Sequence, residues 1–535
     1  MKDQFDPYPR KRFHHYALPI YLALAFVAGM AVSVYFFTSN KKVFYDESKK
    51  MEEILYYIDR YYVDSVNTKD LFETNINTML QSLDPHSAYS NAEENKMLVE
   101  SLEGAFEGIG IQFSIMEDTV TVVATISGGP SEKVGIKTGD KIMTVNGKNI
   151  AGRGIKNEEV MKLLRGEKNT KVKLGIKRMG FKKLYNFDLL RDVIPTYTLD
   201  VAYMIDKKTG YVKINQFGGT TGKEFTDALI RLKSMGMQKL ILDLRGNPGG
   251  YLDAGIQVCD ELLPKGDMIV YTEGLKVKSD KIYATSYGHF ETGELVVLID
   301  DFSASASEIV AGAVQDNDRG TIVGRRSFGK GLIQRQIDLS DQSSLRITTS
   351  RYHTPSGRCI QKDYHNGTDE YNEELFNRFI NGEMESADSI KFDPELQYKT
   401  KKGRIVYGGG GIMPDFFVPV DRDSNMTAFY QLLNSGLLSQ FAFDYTSKNQ
   451  NILKNKFPDV TSFLNNMYVS ESLFQQLIDS YKKQNNDLLK EINRLSKEEI
   501  KLWLKAFIGR ILYQEEGFYP IINRSDKVIL KALEL

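Results

Sequence analysis

The run DFSASASEIVAGAVQD (301–316) sets three serines, Ser303, Ser305 and Ser307, where an apolar strand candidate, ELVVLID (294–300), gives way to a helical pattern. A serine at such a tight strand-to-helix turn is exposed, and the first N–H groups of the helix face any negative charge that develops beside it. That suits nucleophilic attack on a carbonyl. Ser307 and Glu308 are equally ordinary residues for a helix N-terminus, so spacing alone leaves three candidate nucleophiles open.

A serine nucleophile needs a base. The chain has six histidines, and two of them, His14 and His15, precede a long apolar run. His86, His289, His353 and His365 remain, each read as a structural or surface imidazole. No HExxH pattern occurs, so a zinc peptidase is unsupported. Lysine is the other base that activates serine, provided a dry pocket lowers its pKa from about 10.4. Three pH units of lowering cost about 4 kcal/mol, which demands real burial. Lys330 fits, lying between glycines in RRSFGKGLIQ (325–334), ahead of an apolar strand. Gln334 follows four positions later, on the same strand face if the strand includes both, where its amide can orient the amine without adding charge.

A second group of residues suits binding. In Gly108-Ile109-Gly110-Ile111-Gln112-Phe113 two glycines frame a turn into an alternating strand. Such a turn lets backbone N–H groups converge on an anion while the strand edge stays free to pair. VGIKTGDKIMTVNGKNI (134–150) adds a glycine turn, a strand and an Asn146-Gly147 turn, and Arg165 ends the helical stretch near LLRG. Together these segments resemble a PDZ domain, which captures a terminal carboxylate and takes up the peptide as an added strand.

With SLDPHSAY (82–89), LDLRGNPGG (242–250), TPSGRCIQ (354–361) and GGGGIMPD (408–415), these motifs follow the order found in the C-terminal processing peptidases, or tail-specific proteases. The resemblance spans about residues 50–420. It implies Ser305 as nucleophile, Lys330 as general base and Gln334 as its orienting partner. It implies an oxyanion hole from the N–H of Ala306 with that of Gly249 or Gly250. It also implies a substrate-binding loop over Gly108, Ile109, Gly110 and Ile111, and a role for Arg165 in coupling the PDZ-like domain to activity. No metal or organic cofactor is implied. The chain departs from the usual pattern at Cys359 and in a long helical extension after 420.

The implied fold class is multidomain α+β: an N-terminal transmembrane helix, a helical segment, a PDZ-like β module, an α/β protease core of crotonase or ClpP-like type and a C-terminal helical extension. The expected boundaries are a cytoplasmic tail at 1–16, a transmembrane anchor at 17–37, helices at 41–100, the PDZ-like domain at 101–190, the core at 191–420 and the extension at 421–535. Residues 362–400 read as a polar surface insertion.

These elements fit the composition. At 535 residues, 41% hydrophobic and 26% charged, the chain is of globular type, with room for about three or four domains. Its 69 basic and 70 acidic side chains nearly cancel, which disfavours a general nucleic-acid binder. Cys259 and Cys359 are too few for a disulfide scaffold, and whether they pair is open. Residues 17–37 form an uncharged run of 21, the length of a membrane span, with Arg10, Lys11 and Arg12 before it. An uncleaved anchor in a bacterial inner membrane, with the catalytic part in the periplasm, is the expectation. Expected partners are protein substrates with accessible C-terminal tails, the membrane, and a second copy or an adaptor through the C-terminal helices. The alternatives are a catalytically inactive PDZ-type scaffold that only binds tails, and an acyl-CoA enzyme of the crotonase type.

Overall fold

The protein is described by a computed structural model covering residues 21, 23–28, 30, 47–178, 181, 183–420, 424–484 and 497–535. It divides into two units, 1–79 and 80–535. In the first, helices occupy 47–61 and begin again at Thr68, the second ending at Gln81. The transmembrane helix expected at 17–37 is a correction. Among the described residues no helix is long and apolar enough to cross a membrane. Of that stretch residues 21, 23–28 and 30 are described, and the remainder of the expected span lies outside the described residues. The tail expected at 1–16 lies outside the described residues.

The second unit opens with the Asp84-Pro85 turn, where Asp84 Oδ1 accepts the N–H groups of His86 and Ser87. Helix Ala92–Leu102 follows, started by a capping box between Asn91 and Glu94. Strands Ile111–Met116, Thr119–Thr125, Lys141–Val145, Lys171–Lys177 and Tyr185–Leu190 then form an antiparallel sheet in that order. The Asn146-Gly147 turn has φ +50° and +79°, the left-handed pair a tight hairpin needs, and it pairs Val145 with Lys148. Helix Asn157–Leu164 buries Val160 and Leu164, four apart, on the module's own core of Val120, Val122, Ile142, Leu174 and Ile176.

The central sheet has six strands. Leu199–Met204 is antiparallel to Thr209–Ile214, after which Lys239–Asp243, Glu294–Ile299, Thr321–Gly324 and Phe416–Phe417 add in parallel. The inner strands are almost continuously apolar because both faces are covered. Leu240, Leu242, Val297 and Ile299 point to one core, under helices Thr221–Ser234, Leu252–Leu262 and Ala306–Asp316. Ile241, Val296 and Leu298 point to the other, which is closed by Val528, Ile529 and Ala532 of the last helix, Lys527–Glu534.

A second sheet holds Ala88–Ser90, Ser344–His353, Met268–Glu273 and Asp280–Tyr283, with Leu332–Asp338 also paired to Ser344–His353. The polar stretch 362–400 is more than a surface insertion: its helix Thr368–Ile380 buries Tyr371 and Arg378. Beyond 420, helices Leu437–Lys456, Val460–Asn466 and Lys497–Tyr513 share a separate core that includes Leu438, Phe463, Leu504 and Ile508. Both cysteines are free.

Candidate active site

Ser305 occupies the junction between strand Glu294–Ile299 and helix Ala306–Asp316 with φ +56° and ψ −113°. Non-glycine residues rarely adopt this left-handed conformation, and here it turns the side chain out at a nucleophile-elbow type of bend. Its two rivals are disposed differently. Ser303 and Ser307 are fully buried, with hydroxyls donated to Leu244 O at 2.9 Å and Asn247 O at 3.0 Å. Ser305, by contrast, is only half-buried.

Lys330 comes to the same place through its backbone. The buried Glu308 carboxylate takes Ser305 N–H at 2.8 Å and Lys330 N–H at 2.9 Å on Oε2. Its Oε1 takes the Ser327 hydroxyl at 2.5 Å and Gly329 N–H at 2.7 Å. Tyr352 Oη makes a second tie, donating to Lys330 O at 2.8 Å and lying 3.2 Å from Ser305 O. Burial pushes Glu308 up to about 7, against the pull of its four donors. Burial, followed by the Arg346 charge, lowers Lys330 below the usual lysine range, the direction a neutral amine base requires. No hydrogen bond joins Ser305 Oγ to Lys330 Nζ in this conformation.

The GNPGG turn abuts Ser305. A methyl group on Gly249, whose φ is +96°, would sit 2.7 Å from Ser305 Cβ and 3.0 Å from Ala306 N. Gly249 N–H donates to Asn247 Oδ1 at 2.8 Å, whereas those of Gly250 and Ala306 have no such acceptor. The two turns are also joined directly, since Ala304 N–H donates to Asn247 O at 3.0 Å. A pair of unengaged N–H groups flanking a turned-out serine can stabilise an oxyanion.

Gln334 lies in strand Leu332–Asp338, but Lys330 precedes that strand and the register shifts between Ile333 and Gln334. The same-face argument therefore does not apply. Gln334 Nε2 instead donates to Thr348 Oγ1 at 3.2 Å, and Thr348 Oγ1 donates to Asp84 Oδ1 at 3.0 Å. His86, two residues on, has Nε2 2.8 Å from Tyr371 Oη. Burial first, then the Lys330 charge, lowers it to about 4, so its ring is neutral at pH 7.

In the PDZ-like module Ile109 is buried, and its carbonyl accepts Ser131 N–H at 3.1 Å and Ser131 Oγ–H at 2.6 Å. Gly110 has φ +72°, Gly108 backs onto Phe106, and Ile111 begins the terminal strand, whose outer edge is unpaired in the sheet. Arg165 is engaged within the chain: Nη1 donates to Glu100 Oε2 at 2.7 Å and the guanidinium lies 4.6 Å from the Phe106 ring centre. A cavity of about 1810 Å³ lies apart from Ser305, between the PDZ-like sheet and helix Leu437–Lys456.

Glu308, Tyr352, Thr348 and Asp84 are the site residues that sequence reasoning missed. One signal was present for Glu308, a lone carboxylate at the head of the otherwise apolar EIVAGAV. The others act through pairings across long sequence separations that no local pattern announces.

The match to Peptidase family S41 covers residues 208–369, and that to the PDZ domain covers 108–189. A family of unknown function matches 428–514. A carboxy-terminal-processing protease of Bartonella bacilliformis is 37% identical over 351 residues, 63% of this chain and 79% of that protein. The Bacillus subtilis carboxy-terminal processing proteases CtpA and CtpB are 36% and 34% identical over 56% and 58% of this chain, which spans 64% and 65% of their lengths. Among solved structures, a photosystem II D1 C-terminal processing protease is 29% identical, over 58% of this chain and 89% of that one, with a TM-score of 0.32. The identity to the Bartonella protein over most of its length, with the S41 match spanning Ser305 and Lys330, decides the matter: the chain belongs to peptidase family S41, among the carboxy-terminal processing proteases, and is a serine-type endopeptidase with a PDZ domain.

Proposed function

We propose that this protein cleaves protein chains selected by their C-termini, using Ser305 and Lys330 as nucleophile and base. The observation that carries the reading is the single Glu308 oxygen that binds the N–H groups of both residues, beside a serine in a strained, outward-turned conformation. Neutral Lys330 accepts the proton of Ser305 as Oγ bonds to the scissile carbonyl carbon. The oxygen that gains charge lies against Ala306 N–H and Gly250 N–H. Lysinium then returns the proton to the leaving amine, and water, deprotonated by the same amine, hydrolyses the acyl-enzyme. Gln334 donates to Thr348 Oγ1, and its role in orienting the amine rests on the family resemblance, with no contact to Lys330 behind it. The turn at Gly108–Ile111 and the open edge of Ile111–Met116 receive the carboxyl tail.

A periplasmic location belongs to the same proposal. Cell fractionation tests it. For the activity, the protein is incubated with an unfolded reporter ending in an apolar tail, or in the same tail closed by two aspartates. Faster loss of the first, abolished in Ser305→Ala and Lys330→Ala, supports the reading. Tail binding without cleavage by any variant contradicts it.

A further inference from the structure

Residues 515–535 lie past the 428–514 match, yet they pack on the catalytic sheet itself. Three polar ties fix them there. Tyr519 Oη donates to Asp200 Oδ2 at 2.8 Å, and Asn523 Nδ2 to Tyr203 Oη at 2.9 Å. The third reaches the site. Asp526 Oδ2 accepts Arg245 Nη1 at 2.9 Å, while its Oδ1 caps helix Lys527–Glu534 by accepting Val528 N–H and Ile529 N–H. The rest of the Arg245 guanidinium is bound to Asp243, with Nη2 2.6 Å and Nε 3.0 Å from its oxygens.

Arg245 immediately precedes the GNPGG turn, and its neighbours bind the nucleophile loop on both sides. Leu244 O accepts Ser303 Oγ–H, and Gly246 N–H donates to Asp300 Oδ1 at 2.9 Å. A shift of Arg245 is therefore passed to the loops that carry Gly250 N–H and Ser305. We infer that Asp526, from the C-terminal segment, is a positioning residue for the oxyanion turn and acts through Arg245. The inference rests on the serine-protease reading above for its catalytic consequence, and on geometry alone for its structural one.

Asp526→Asn separates the two duties of the residue, because asparagine caps a helix as well as aspartate but carries no charge for Arg245. Removing one oxyanion donor costs roughly 10²–10³ in kcat, so a turn that is loosened rather than lost is expected to lower kcat about tenfold with KM within about twofold. Tyr203→Phe cuts the Asn523 tie of the same segment, whose hydroxyl partner makes no onward hydrogen bond to the turn, and kcat is expected to stay within about twofold of the parent.

Hydrogen exchange over residues 246–250 gives a readout independent of turnover. It is expected to quicken about tenfold in Asp526→Asn and not in Tyr203→Phe. Unchanged exchange in Asp526→Asn overturns the inference, as does equal loss of kcat in both variants. If exchange quickens but cleavage by the parent does not depend on Ser305, the positioning stands and the protease reading falls.

Discussion

Replacing Glu308 by glutamine tests whether one buried carboxylate aligns nucleophile and base. Glu308 accepts four hydrogen bonds, two per oxygen. Glutamine has one carbonyl oxygen, so two of the four donors must face an amide NH₂. A hydrogen bond to a charged group contributes about 1.5–3 kcal/mol, which makes the loss about 3–6 kcal/mol before relaxation. At the lower end, if it falls wholly on the alignment of Ser305 and Lys330, kcat/KM drops on the order of a hundredfold. The assay is reporter cleavage at pH 8, with thermal melts from pH 4 to 8. The melts carry a sign of their own. Folding raises Glu308 from 4.5 to about 7, so its contribution to stability is complete below pH 4.5 and lost as pH rises to about 7. That displacement corresponds to about 3 kcal/mol, and Glu308→Gln must lack this slope. Unaltered kcat/KM at pH 8 together with an unaltered pH slope would refute the reasoning.

Three further outcomes follow from the geometry. Gly249→Ala places a methyl 2.7 Å from Ala304 O and Ser305 Cβ at φ +96°, so kcat is expected to fall at least about a hundredfold with the fold retained by circular dichroism; parental turnover contradicts the close approach. The His86 ring, lowered from 6.5 to about 4, should titrate by NMR near pH 4, and its stabilising effect, present above 6.5, is lost as pH falls toward 4; a midpoint near 6.5 places it in water instead. Arg165→Ala removes the Glu100 ion pair and the Phe106 contact, so amide exchange in Ala92–Leu102 should quicken, at a stability cost of about 1 kcal/mol. Exchange at the parental rate would mean that Arg165 does not hold that helix.

Much of this was legible in the residues. The alternation of the PDZ-like strands, the apolar runs of the parallel sheet and the serine-bearing turn follow from period and turn chemistry. The choice among Ser303, Ser305 and Ser307 did not, because what buries two of them is Leu244 O and Asn247 O, about 60 residues away in the chain. The same holds for the proposed oxyanion donors, since Gly249 and Gly250 are alike in sequence and only the fold shows Asn247 Oδ1 occupying the first. Counting from Lys330 to Gln334 along one strand fails because the strand begins only at Leu332. The helices after 420 read as an extension open to a second copy or an adaptor, and the fold adds that its last turns cover a sheet face whose apolar residues alternate with those of the other core.

The most direct test of the central claim is labelling by an alkyl fluorophosphonate, which phosphonylates an activated serine, followed by mass spectrometry of the intact protein and its peptides. One adduct on Ser305, absent from Ser305→Ala and strongly reduced in Lys330→Ala, is the predicted result. An adduct on Ser303 or Ser307, or equal labelling of Ser305 when Lys330 is alanine, would contradict the assignment of nucleophile and base.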